Sequence, residues 1–306
     1  MTAVSLYMNA GRFRAYADLL RIHFSFAWPL LFCSGTVLAF AAYGGFSWTY
    51  LLTAALIGFF GFEAGMVLND YVDRIYDTKD VEGGMTRYWR VFGTRPIAEG
   101  LIRARHALLL FAVLALASLA LILTLPYPHS LFVALIMGYS YGIEVFYQVK
   151  KRSQSIPVAQ LVGRTDFALF PVAGYLAAGM PDTTAFLYFL FFYPYALAHL
   201  AANDLADLRN DLARGMKTMP VLYGERGTVI MIAGCTVLHG IMAVFFAGAL
   251  VPVAQAALIA GFFLLALATA LILRGGGTPE AGMRTLPLFH VAMVVYAGGI
   301  LLGFFV

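Results

Sequence analysis

Charge is scarce in this chain. Its 306 residues include 20 Lys and Arg and 16 Asp and Glu. Charged side chains therefore make up 12%, where soluble domains carry about 25%. Hydrophobic residues make up 61%, and mean hydropathy is +0.82. No soluble domain can be carved from such a sequence. The composition implies a polytopic membrane protein, read as one transmembrane domain over residues 1–306. Cysteine is nearly absent: Cys33 and Cys235 both lie inside apolar segments. That excludes a disulfide framework and gives no support to a thiolate metal site. No cleavable signal peptide is expected, because residues 1–22 are polar and basic and the first apolar stretch is long enough to span. The expected surroundings are a lipid bilayer, with no nucleic-acid partner.

A span needs about 20 apolar residues. Nine stretches qualify: Phe24–Tyr43, Tyr50–Leu68, Ala107–Leu125, Ser130–Tyr147, Ile156–Ala178, Thr184–Ala202, Thr228–Ala247, Ala254–Leu273 and Leu286–Val306. The basic residues sort with them. Arg12, Arg14 and Arg21 precede the first span, and seven Lys or Arg follow the second. Lys150, Lys151, Arg152 and Arg164 follow the fourth or begin the fifth. Arg209, Arg214, Lys217 and Arg226 follow the sixth, and Arg274 and Arg284 the eighth. The links after spans one, three, five and seven hold no Lys or Arg. The positive-inside rule then places the N-terminus and the even-numbered exits in the cytoplasm, within a cell membrane, and the C-terminus outside. The outer links are short and the inner loops long, especially Asp70–His106. Function is expected at that elaborated cytoplasmic end.

Two of the inner loops begin with the same pattern. Asn69-Asp70-Tyr71-Val72-Asp73-Arg74-Ile75-Tyr76-Asp77 is N-D-x-x-D-x-x-x-D. Asn203-Asp204-Leu205-Ala206-Asp207-Leu208-Arg209-Asn210-Asp211 repeats it at an offset of 134 residues. On a helix, positions i, i+4 and i+8 share one face, rising about 6 Å per step. Asn69, Asp73 and Asp77 would then form one ligand stripe, and Asn203, Asp207 and Asp211 another, with Asp70 and Asp204 set to one side. Carboxylates facing lipid near the bilayer centre cost roughly 2.5–3.5 kcal/mol each. These six should instead face one another across a water-accessible cavity and bind cations. The bland alternative, helix-end charges balanced by loop Arg and Lys, suits a single D-x-x-x-D better than two matched copies on one membrane side. Oxygen-only ligands favour Mg²⁺ or another hard ion over zinc. Mg²⁺ takes few protein carboxylates and completes its shell with phosphate oxygens. Arg95, Lys150, Lys151 and Lys217 lie on the same side, where they would hold the departing anion.

With these motifs the chain resembles the UbiA superfamily of intramembrane prenyltransferases. Both aspartate motifs match that family's pair. Thr94-Arg95-Pro96-Ile97-Ala98-Glu99-Gly100 resembles its R-P-(small)-x-G segment, and Gly215-Met216-Lys217-Thr218-Met219-Pro220 its G-x-K-T-x-P segment. Tyr139-Ser140-Tyr141 followed by Lys150-Lys151 resembles its tyrosine-rich fourth span. The resemblance implies an all-α bundle of nine transmembrane helices around a central cavity, capped by cytoplasmic loops. It also implies Mg²⁺-dependent transfer of an isoprenyl group from an allylic diphosphate, such as geranyl or geranylgeranyl diphosphate, to an aromatic or other lipophilic acceptor. It assigns Asn69, Asp70, Asp73, Asp77, Asp204, Asp207 and Asp211 to the metal. Arg95, Lys150, Lys151, Lys217 and Tyr139 go to the prenyl diphosphate, and Asp73, Asp207, Arg95, Lys150 and Lys217 to catalysis. One departure is visible. The segment between Asp77 and Arg95 is longer than in many members and carries Gly83-Gly84 and Arg87-Tyr88-Trp89-Arg90.

Loss of diphosphate would leave an allylic cation, which aromatic faces stabilise by about 0.5–2 kcal/mol each. Tyr139, Tyr141, Tyr147, Phe192, Tyr193 and Tyr195 are candidates, with packing toward lipid the commoner role for each. His199 precedes Asn203 by one turn and is a candidate to contact the acceptor, with a hydrogen bond inside the bundle as its ordinary alternative. Glu63 receives no role. Arg164 and Asp166 either pair locally or reach the acceptor end. Two other classes compete. A cation-coupled transporter would also repeat polar motifs, but its sites lie at mid-membrane rather than at span exits. A phosphatidyltransferase would need a D-G-x-x-A-R pattern, which this chain lacks.

Overall fold

The structure is a computed structural model that describes residues 3–306, with side chains from residue 11 onward. The described residues form helices and no strands. In chain order these are α1 Ala3–Leu19, α2 Ala27–Tyr43, α3 Trp48–Asp73, α4 Gly84–Trp89, α5 Ala104–Ile122, α6 His129–Lys150 and α7 Val158–Gly163. There follow α8 Thr165–Leu176, α9 Thr183–Ala206, α10 Leu208–Arg214, α11 Met219–Ala247, α12 Pro252–Arg274 and α13 Pro279–Phe305. Seven of them (α3, α5, α6, α9, α11, α12 and α13) are long and apolar enough to cross a membrane. The chain is an integral membrane protein.

Two of the expected spans take a different form. Residues 24–26 are turns, so α2 has 17 residues rather than 20. The stretch expected at Ile156–Ala178 is split at Arg164 into α7 and α8. The two pieces meet at Gly163-Arg164-Thr165-Asp166, where charged and polar side chains interrupt the apolar run, and α8 carries Pro171 inside it. Proline removes a helical hydrogen bond and crowds the preceding turn.

Helices α2, α3, α8, α9 and α13 pack on one another around the core, and α6 closes against α3 and α8. Outside them, α5 lies on α3, α11 on α9 and α12 on α13. The outer helices keep large apolar side chains exposed, among them Leu109, Leu116, Ile259 and Phe263. Exposure of that kind is ordinary for a lipid-facing surface. Close approach of two inner helices depends on glycine. A Cβ at Gly174 of α8 would lie 1.9 Å from the Phe32 carbonyl oxygen of α2, and one at Gly35 would lie 2.0 Å from that of Pro171. Small residues let helix backbones meet in this way.

Both aspartate motifs occupy the C-terminal ends of core helices, α3 and α9. Neither stripe continues as one helix. α3 ends at Asp73, and Asp77 opens a separate 3₁₀ turn, Asp77–Lys79. α9 ends at Ala206, and Asp211 belongs to α10. The i, i+4, i+8 geometry therefore fails at its last step in both copies. Asn and Asp are weak helix formers because their short side chains compete for the backbone. The Asp207 carboxylate, for one, accepts from the Asn210 amide at 2.7 Å.

Candidate active site

A cavity of about 1120 Å³, its open mouth included, lies between the ends of α3 and α9. Six of the seven motif positions assigned to metal, plus Asn203, line it: Asn69, Asp73, Asp77, Asp204, Asp207 and Asp211. The break in each motif helix does not disperse them. It turns the third acid of each copy back toward the same space. Asp70 faces elsewhere. Its carboxylate is buried and held by Arg21 at 2.9 Å and by Arg90 at 2.8 Å. That clamp ties α3 to the turn after α1 and to the residue after α4.

The two motifs differ in how much of their charge the protein neutralises. In the first, Asp73 is paired with Lys151 at 2.7 Å and Arg152 at 3.0 Å, and Asp77 with Arg95 at 2.8 Å. In the second, Asp204 receives the Gln160 amide at 3.4 Å, and Asp211 the Thr218 hydroxyl at 2.7 Å. Arg214 serves both copies, 3.5 Å from Asp77, 3.2 Å from Asp207 and 4.0 Å from Asp211. Burial, then the neighbouring Asp207 and Asp204 charges, push the Asp211 carboxyl well above the usual carboxylate range. Burial raises Asp207 and Asp77 as well, against the pull of their arginines. Burial also works against the Lys151 ammonium, but Asp73 outweighs it and holds that lysine above its ordinary value.

Among the described residues Arg214 is the one cation paired with any of the three carboxylates of the second motif, and oxygen ligands left in that state suit a hard divalent cation. Among the described residues, no three His, Cys, Asp or Glu side chains close on a common point as a preformed metal site. The carboxylates and amides line opposing walls, an arrangement that suits ions shared with a bound phosphate.

Other sequence candidates lie off this wall. Lys217 is exposed, although its backbone N–H donates to the Lys151 carbonyl at 2.7 Å. Lys150 is half-buried and outside the cavity lining. Tyr139 is exposed, and its hydroxyl is within 2.7 Å of that of Thr165. Arg95 and Lys151 do line the cavity.

Beyond the polar end the cavity becomes aromatic. Trp28 and Phe62 stack at 3.7 Å, and Phe167 and Tyr195 complete that wall. Tyr147 lines the cavity, whereas Phe192 packs in the core. The Tyr141 and Tyr193 hydroxyls donate to the carbonyls of Gly61 and Leu161. His199 and Arg164 reach the cavity as well. Glu63 is fully buried beside it with neither oxygen hydrogen-bonded.

Sequence reasoning missed Arg21, Arg90, Arg152 and Arg214 as carboxylate partners, and His290 as a wall residue. Arg90 and Trp89 had a signal, the aromatic-basic stretch in the long segment before Arg95. His290 had none, since it sits alone in an apolar helix.

The family model for the UbiA prenyltransferase family matches residues 27–302. The chain belongs to that family. Among UbiA relatives, a 4-hydroxybenzoate octaprenyltransferase of Aeromonas salmonicida (strain A449) is 33% identical over 69% of this chain and 68% of its own length. One of Albidiferax ferrireducens is 28% identical over 84% of this chain and 81% of its own. Two solved UbiA folds superpose on nearly the whole chain. A UbiA homolog from Aeropyrum pernix K1, in its apo form, has a TM-score of 0.73 at 17% identity, covering 92% of this chain and 97% of that one. A homolog from Archaeoglobus fulgidus bound to GPP and Mg²⁺ has a TM-score of 0.69 at 16% identity, covering 94% and 99%. At these identities the superpositions establish the fold. Family membership and the named relatives make this UbiA member a prenyltransferase.

Proposed function

We propose that the protein transfers an isoprenyl group from an allylic diphosphate to a hydroxylated aromatic acceptor and releases diphosphate, with Mg²⁺ as cofactor. The observation that carries this reading is one cavity with two chemistries: acids and cations of both motifs at one end, aromatic faces at the other. The relatives named for 4-hydroxybenzoate octaprenyl transfer support the acceptor class, and the GPP- and Mg²⁺-bound homolog supports the prenyl donor and the metal.

In this reading Asn69, Asp73, Asp77, Asp204, Asp207 and Asp211 hold the metal, and Asp70 fixes the local fold through Arg21 and Arg90. Bound Mg²⁺ supplies charge neutralisation that makes diphosphate a better leaving group. Arg95, Lys151 and Arg214 contact the diphosphate oxygens, and Lys150 and Lys217 border the mouth. Trp28, Phe62, Phe167 and Tyr195 flank the allylic carbons and exclude water that would quench the cation. Tyr139, turned outward, borders the bilayer. The membrane arrangement we propose counts nine crossings, adding α2 and the broken pair α7–α8 to the seven long helices. The motif end and the N-terminus face the cytoplasm, and residues 1–306 form one unit.

The test is a transfer assay with purified protein, C10–C40 prenyl diphosphates and a panel of hydroxylated aromatic acids. Product that requires both Mg²⁺ and an allylic diphosphate supports the reading. Ion-coupled solute flux in proteoliposomes without transfer would replace it with a transporter.

A further inference from the structure

The long segment between Asp77 and Arg95 builds one wall of the cavity. Its helix α4 brings Trp89 to the cavity lining and packs the half-buried Tyr88 behind it, against the core. The Trp89 indole N–H donates to the Asn203 side-chain oxygen at 3.2 Å, which anchors α4 to the second motif. Its ring meets that of His290 at 5.0 Å and 86°. The Tyr88 hydroxyl lies 2.7 Å from Nδ1 of His290.

His290 and His199, from α13 and α9, face each other across this corner with ring centroids 4.7 Å apart. Both line the cavity and both are more than nine-tenths buried. Nδ1 of His290 also lies 3.0 Å from the Leu286 carbonyl oxygen. A carbonyl only accepts, so a proton on Nδ1 serves Leu286 and also the Tyr88 hydroxyl as acceptor, and this tautomer of the neutral ring leaves a lone pair on Nε2. That Nε2 is buried without a partner among the described residues, and so is Nε2 of His199. Two unpaired ring nitrogens in one aromatic-walled corner are costly unless a ligand or water meets them.

We propose that His199 and His290, walled by Tyr88 and Trp89, dock the hydroxyl-bearing edge of a planar aromatic acceptor. The hydroxyl donates to Nε2 of His290, the acceptor ring lies among the aromatic faces, and His199 makes the second polar contact. The choice of ligand rests on the prenyl-transfer reading; the docking site itself rests on the geometry of the two histidines. The corner adjoins the second motif without using its carboxylates, so acceptor and prenyl donor recognition separate.

The experiment is calorimetric titration of the full chain in nanodiscs with Mg²⁺ and no prenyl donor, using 4-hydroxybenzoate and 4-methoxybenzoate. The hydroxy compound should bind about tenfold tighter or better, as expected for one buried hydrogen bond with a polar partner left unpaired otherwise. His290→Phe and His199→Phe should erase that preference while geranyl diphosphate binding stays unchanged, and His290→Gln should keep part of it. An unchanged preference in the Phe variants, equal or absent binding of both compounds to the wild type, or a parallel loss of geranyl diphosphate binding overturns the docking site. Wild-type protein that shows the preference yet transfers no prenyl group supports the site and overturns the prenyl-transfer reading instead.

Discussion

The Lys151 ammonium lies 2.7 Å from the Asp73 carboxylate, so the first motif meets its ligand with this acid, like Asp77 beside Arg95, already occupied by a cation. A diphosphate entering this cavity offers Lys151 a second anionic partner, and a metal ion offers Asp73 a second cation. Exchange of partners is the simplest way for both to bind. Lys151→Met should therefore weaken prenyl diphosphate binding by about 10–100-fold, the worth of one charge-assisted hydrogen bond. Titration with a non-hydrolysable diphosphate analogue reads this directly, and acceptor affinity should not change.

The second motif carries less internal compensation than the first, and it should dominate metal affinity. Asp207→Asn and Asp211→Asn should each raise the Mg²⁺ concentration needed for half-maximal activity. Asp70→Asn should act through stability, because it leaves Arg21 and Arg90 buried around a neutral group; breaking a buried pair costs about 3–5 kcal/mol. A Mg²⁺ titration of activity, set beside thermal unfolding of each variant, distinguishes the two behaviours.

Helix packing depends on the crossing of α2 and α8. A side chain at Gly174 would overlap the Phe32 backbone, and backbone cannot yield as a flexible side chain does. Gly174→Val should destabilise the protein by more than the roughly 1–3 kcal/mol typical of overpacking. Gly65→Ala, where a Cβ meets nothing within 4 Å, serves as the control and should have little effect. Thermal unfolding in detergent measures both.

At the end of the bundle away from the motifs, Asp182 caps α9. Its carboxylate accepts from the Ala185 N–H at 2.8 Å and from the Tyr43 and Tyr175 hydroxyls at 2.6 Å. Burial pushes this carboxyl up, but the Tyr175 and Tyr43 hydrogen bonds outweigh it and hold it below the usual range. A depressed folded-state value contributes stability above the ordinary Asp pKa of about 3.9, lost as pH falls through the lower value. Asp182→Ala should cost about 1 kcal/mol near neutral pH, the usual worth of such a cap. Its difference from wild type should shrink on acidification, as read by unfolding at several pH values.

The helical class and the membrane setting were legible because composition and segment length carry them directly. The gathering of the two motifs at one cavity was legible because the repeat and the sorting of Lys and Arg put both at the same end. The stripe geometry was not, because a helical wheel assumes a continuous helix and both helices break within the motif. The ion-pair partners were hidden for a different reason. Arg21, Arg90 and Arg214 reach their acids across loops whose paths no periodicity encodes. Lys150 and Lys151 are neighbours, and only the turn after α6 decides which one faces the cavity.

Prenyl transfer as proposed requires one cavity to join a metal–diphosphate end to an aromatic acceptor end. The most direct measurement is prenyl transfer from C1-labelled geranyl diphosphate to 4-hydroxybenzoate by the purified protein, with Mg²⁺ and with excess EDTA, in wild type and Asp207→Asn. Labelled prenylated product is expected from the wild type with Mg²⁺, and essentially none with EDTA or from the variant. Equal product with EDTA, or undiminished product from Asp207→Asn, would contradict this reading.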